Sequence, residues 1–112
     1  MMNFDADRVR RMTKAERDAV RDELNYASEL VNVRIHAWTV APQRPQQEWL
    51  AEVPSELAKR AVPNVVVQEE RDTVLSIIQH CTSSRDYVVG GEGPLDRCLR
   101  ILNGRLAGVM LG

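Results

Sequence analysis

Residues 94–109 read Pro-Leu-Asp-Arg-Cys-Leu-Arg-Ile-Leu-Asn-Gly-Arg-Leu-Ala-Gly-Val, and their spacing decides the fold class. Leu95, Leu99, Leu102, Leu106 and Val109 recur at intervals of three and four, the period of one face of an α-helix. Pro94 suits the first turn, where the missing N–H has no helical partner in any case. Asp96, Arg97, Arg100 and Arg105 are assigned to the other faces, and Cys98 borders the stripe. Gly104 and Gly108, four apart, would let a second helix approach closely. Two helix-weakening glycines near a fraying end explain the spacing nearly as well.

Upstream of this helix, Gly90-Gly91-Glu92-Gly93 is the most permissive backbone in the chain and reads as a hinge. Tyr87-Val88-Val89 is apolar and expected to pack down. Before it, Val74, Ile77, Ile78 and Cys81 share one side of a predicted helix over about 64–82. Glu69, Glu70 and Asp72 sit near its start, where the helix dipole favours negative charge. Val65-Val66-Val67 is the alternative, a short strand. Thr82-Ser83-Ser84 ends the segment.

The first 40 residues hold the longest pattern. Thr13-Lys14-Ala15-Glu16 is a capping box, with Thr13 as N-cap and Glu16 reaching back. From there Val20, Leu24, Ala27, Val31, Ile35 and Trp38 form one helical stripe, with residues 5–12 as a lead-in helix or an extension. Val31, Val33, Ile35 and Ala37 also alternate with polar neighbours, as in a strand. No Gly or Pro interrupts the stretch, so one continuous helix is favoured. Residues 41–53, with Pro42 and Pro45, are predicted to be a loop without regular structure. Pro42-Gln43-Arg44-Pro45 is formally a P-x-x-P ligand but reads as a plain connection. Pro54 to Ala61 is a short helix that Pro63 stops.

These patterns predict a single all-α domain over residues 1–112, a small helical bundle of three main helices plus one or two short ones. A chain of 112 residues, 44% hydrophobic and 28% charged, suits one globular core. With aromatics at 4%, that core is built from aliphatic side chains. A net charge of −1 gives no global demand for nucleic acid or an anionic membrane. The start lacks a secretory signal pattern and no apolar run approaches a membrane span, so a cytoplasmic protein with free thiols is expected. The size and Arg-rich composition fit a small accessory protein of a GC-rich bacterium or its phage.

Nothing in the sequence supplies chemistry. His36, His80, Cys81 and Cys98 lack the paired short spacings of a zinc site, so no metal and no cofactor are predicted. A Cys98 pairing with His80 or His36 is conceivable for nucleophilic catalysis. The simpler reading is that both cysteines act as small hydrophobes. The glycine loop lacks the Gly-Lys-Ser/Thr ending of a phosphate loop, and Glu92 and Asp96 place negative charge there. Glu69-Glu70 reads as a solvated carboxylate pair.

Charge placement carries more content. Arg10, Lys14, Arg17 and Arg21 are spaced four, three and four apart and share one face if the helix extends back to residue 10. They are the candidate ligand-binding residues, able to meet the phosphates of a nucleotide or nucleic acid. The competing reading is a solvated face with Asp18–Asp22 repulsion and Asp7–Arg11 attraction. The function expected is therefore a non-enzymatic binding or adaptor protein working through protein–protein contacts. A homo-oligomer, most simply a dimer, would cover the stripe from Val31 to Trp38. A phosphate-ligand binder is the alternative.

Overall fold

The computed structural model describes residues 6–83 and 92–111. Tyr87, Val88, Val89, Gly90 and Gly91, on which the expected packing and hinge fall, lie outside the described residues. Among the described residues, α1 spans Ala6–Arg11, α2 Lys14–Val40, α3 Gln46–Leu50, α4 Val53–Ala58, α5 Val65–Ser83 and α6 Pro94–Leu111. The long helices α2, α5 and α6 pack against one another. Helix α3 lies against all three, and α4 against α2 and α5. This is the all-α bundle of three main helices that the periodicities predict. No described helix is long and apolar enough to cross a membrane.

The capping box forms as read. Glu16 N donates to Thr13 Oγ1 at 3.1 Å and Thr13 N donates to Glu16 Oε1 at 2.8 Å. Thr13 has extended backbone, with φ −67° and ψ 164°, so α2 starts anew there. Helix α1 is a separate lead-in, not an extension. Residues 31–40 continue α2 to Val40, and the strand alternative is not adopted. Val20, Leu24, Ala27 and Val31 are fully buried, with Ile35 and Trp38 packed against the same core. Pro42 restricts the residue before it, and α2 ends at the Ala41 cap.

The loop predicted over 41–53 is corrected by α3. Both prolines precede the helix, so neither interrupts it, and Pro45 sits at its N-cap. Leu50, fully buried, anchors the segment in the core. Val65-Val66-Val67 is helical, because Asn64 Oδ1 accepts from Val67 N at 3.0 Å and starts α5.

Helix α3 also starts α6. Gln46 Oε1 accepts from Leu95 N at 2.9 Å, satisfying one orphan donor across 49 residues of chain. Gly93 makes room for this cap, since a Cβ there would lie 2.6 Å from Gln46 Cδ. Gly93→Ala is therefore expected to displace Gln46 and cost about 1 kcal/mol, a fall in Tm of roughly 4–8 °C. Gln46→Ala should cost the same, and the double variant little more, because both changes remove one hydrogen bond. A Gly93→Ala protein melting like wild type would refute the cap. Among the described residues nothing lies within 4 Å of a Cβ built on Gly104, so none of their helices approaches closely there.

Candidate binding face

The candidate cations divide between two helices. Lys14, Arg17 and Arg21 lie on the first two turns of α2, where spacings of three and four keep them on one side. Together with Asp18, Val109 and Met110 they line an open pocket of about 300 Å³ between the start of α2 and the end of α6. Arg10 is not part of it. The break at Thr13 places Arg10 on α1, where it pairs with Asp7. The shared face expected for all four is thus corrected to three, because the helix does not extend back to residue 10.

Carboxylates are threaded through this face. Lys14 Nζ lies 3.4 Å from Asp18 Oδ2, and Arg21 lies 3.3 Å from Asp18 and 3.4 Å from Asp22. Arg21 bridges the two aspartates that the sequence suggested would repel each other. On the pocket lining, three cations face one carboxylate. Such exposed pairs are worth roughly 0–1 kcal/mol each, so the cations can be given up to a ligand at little expense in stability. Lys14 is 85% exposed and Met110 68%. Exposed positive charge therefore stands beside an exposed thioether side chain, which adapts readily to a partner's shape.

Two buried ion pairs, not legible in the sequence, lie in the core. Glu70, read as solvated, is fully buried, and Arg105, assigned to an outer face, is 5% exposed. Arg105 Nε and Nη2 donate to the two Glu70 oxygens at 2.7 Å each, a bidentate geometry, with Arg8 Nη1 3.7 Å away. Beside it, Arg71 Nε and Nη2 donate to Glu23 at 2.9 and 3.2 Å, and Arg71 Nη1 donates to the Arg60 carbonyl at 2.8 Å. These pairs tie α5 to α6 and α5 to α2. Their oxygens face guanidinium N–H groups, an arrangement that holds helices together.

The remaining candidates are separated. His36 and His80 are exposed while Cys98 is fully buried, so neither Cys98–His pairing forms. Among the described residues no group of three or more His, Cys, Asp or Glu side chains is placed to hold a metal ion. The first turn of α6, weighed above as a phosphate cradle, is occupied by Gln46. Glu92 accepts from Arg100 at 2.9 and 3.0 Å, and that contact holds its carboxyl below the usual range. Arg44 of the P-x-x-P segment is drawn inward, over the Trp49 ring at 4.2 Å and onto Glu52 at 2.8 Å.

Fold and face together define a small all-α helical bundle with a cation-rimmed, partly apolar pocket at one end. Compared with protein-family models, curated proteins and solved structures, the chain matches none of them.

Proposed function

We propose that the protein is a non-enzymatic, cytoplasmic binding or adaptor protein that engages a protein partner at the pocket between α2 and α6. One observation carries this reading: Met110, 68% exposed, stands with Val109 beside Lys14, Arg17 and Arg21. An apolar anchor ringed by cations suits a protein segment that presents carboxylates next to an apolar side chain. A homo-oligomer through the α2 stripe would draw on further residues, because Val31 is fully buried and Ile35 and Trp38 are already partly buried against the core of their own chain. Val33 and Val40, 57% and 87% exposed and one heptad apart, are large apolar residues that α2 leaves outside.

A second reading is supported by the same convergence: Lys14, Arg17 and Arg21 would hold a phosphate ligand, a nucleotide or nucleic acid. Asp18 among them opposes it. Two variants separate the readings, the triple substitution Lys14→Gln, Arg17→Gln, Arg21→Gln and the single substitution Met110→Asp. Both should keep wild-type helix content and melt within a few degrees of wild type, since all four side chains are at least partly exposed. A protein partner captured from the native host by wild type should be lost with both variants. For a phosphate ligand, the triple variant loses binding, Met110→Asp loses far less, and affinity falls steeply with salt. A partner retained equally by wild type and both variants would exclude this face altogether.

A further inference from the structure

We propose that a second copy of this chain docks on the outer face of α2, pairing helix with helix in parallel along a seam made by Leu30, Val33, Ala37 and Val40. The sequence supplies the register. Tyr26, Leu30, Val33, Ala37 and Val40 follow one another at intervals of four, three, four and three, the seven-residue repeat of a two-stranded coiled coil. This seam is separate from the stripe that α2 turns towards its own core. Val33 follows the fully buried Val31 by two residues, about 200° around the helix. Four large apolar side chains are exposed among the described residues, and two of them, Val33 and Val40, stand on this face. Ala37 between them and Leu30 before them are half-buried. Tyr26 is already engaged within the chain: its hydroxyl donates to the Glu56 carbonyl at 3.5 Å, and Arg60 lies over its ring at 4.8 Å. The open part of the seam therefore runs from Leu30 to the end of the helix.

Charge selects the occupant and its direction. The positions flanking the seam are Glu29, just before Leu30, and Arg34, just after Val33. In a parallel pair each helix sets the first of these against the second of its mate, five residues further along. Glu29 of each copy then faces Arg34 of the other, twice across the two-fold axis. Glu29 is exposed and has no ion pair among the described residues. Arg34 lies 3.7 Å from Glu52, whose carboxylate Arg44 holds more closely at 2.8 Å, so positive charge is left over beside the seam. An antiparallel pair would bring the two Arg34 side chains together instead. The face is thus complementary to itself in one direction. As the contact of a homo-oligomer it rests on the reading above, but its residues are not those of the pocket between α2 and α6.

Sedimentation velocity of the intact chain measures the pairing. A seam of two heptads is small, so wild type should be monomeric at roughly 5 µM and largely dimeric by roughly 500 µM. The double variant Val33→Lys, Val40→Lys changes two exposed positions to a good helix former, so it should keep the wild-type helix content and stay monomeric throughout. Glu29→Lys, outside the seam, sets like charges across both contacts and should weaken the dimer roughly tenfold. Met110→Asp, in the pocket, should leave the dimer unchanged.

The direction is read with Val33→Cys, oxidised with diamide at a concentration where the dimer forms. Equivalent residues face each other in a parallel pair, so this variant should cross-link to a dimer that reductant releases, while wild type, with both thiols buried, should not. Wild-type protein that stays monomeric over the whole range overturns the seam. So does a dimer as strong in the double variant as in wild type, an outcome that would leave a homo-oligomer formed through another surface. A Val33→Cys dimer that does not cross-link overturns the parallel direction.

Discussion

Leu102→Asp is expected to abolish the folded state. Leu102 is fully buried in the core shared by α2, α5 and α6. The substitution removes a leucine whose burial contributes roughly 1.5–3 kcal/mol. It also inserts a carboxylate without a partner, which costs several kcal/mol more. Their sum rivals the roughly 5–15 kcal/mol that a domain has in total. Far-UV circular dichroism at 25 °C should show the helical signal collapsed. Leu99→Asp is the informative comparison. Leu99 packs against the core from its edge, so its variant can turn the carboxylate towards water and should stay folded with a lowered Tm. Were Leu99→Asp the more damaging of the two, the face of α6 that meets the core would have to be reassigned.

That comparison also measures how legible the fold was. The apolar pattern of α6 identified the helix correctly and its buried face only in part. The pattern centres on Leu95, Leu99, Leu102, Leu106 and Val109; after Pro94 at the helix start, the structure buries Leu95, Cys98, Leu102, Arg105 and Val109. The two sets share three residues and differ by one position at the others. Hydropathy favours Leu over Cys and Arg, so a pattern search slides the face towards the leucines. The true face includes an arginine because a carboxylate meets it there, and that carboxylate lies 35 residues away on α5. In α5 the buried run Val67, Glu70, Arg71, Val74, Ile77, Ile78, Cys81 keeps helical spacing without a gap only if a charged residue, Glu70 or Arg71, is counted. In α2, Glu23 lies on the buried face between Val20 and Leu24, although the stripe needs no residue there to stay continuous. Opposite charges falling inside the apolar stripes of three helices were the available signal. It has meaning only once the helices are paired.

Local signals were read more faithfully than distant ones. The Thr13 capping box involves residues three apart, and its hydrogen bonds form as predicted. The same box separates Arg10 from Lys14, Arg17 and Arg21, so a sound local reading, carried through, already divides the candidate site. Helix α3 and its Gln46 cap on α6 depend on contacts across 49 residues, and nothing in residues 41–53 announces them. The pocket needs Val109 and Met110 from the far end of the chain beside the start of α2. Neither stretch alone suggests a binding face.

Removing one member of the Glu70–Arg105 pair should be nearly as severe as a charge in the core. Glu70→Ala is expected to cost about 3–5 kcal/mol, because it leaves the Arg105 guanidinium buried without its bidentate partner. Urea unfolding should show a lower midpoint at an unchanged slope. The double variant Glu70→Leu, Arg105→Met separates two causes. If the loss comes from the stranded cation, the double variant should recover most of it, since apolar side chains of similar volume fill the space without a desolvation penalty. Should the double variant remain as unstable as Glu70→Ala, the pair itself holds α5 and α6 in register. Glu23→Ala tests the second pair. It removes the carboxylate that accepts from Arg71 Nε and Nη2 and leaves Arg71 its hydrogen bond to the Arg60 carbonyl, so a cost of about 1–3 kcal/mol is expected. A Glu23→Ala protein that unfolds at the wild-type urea midpoint would mean that the pair adds nothing to the packing of α5 on α2.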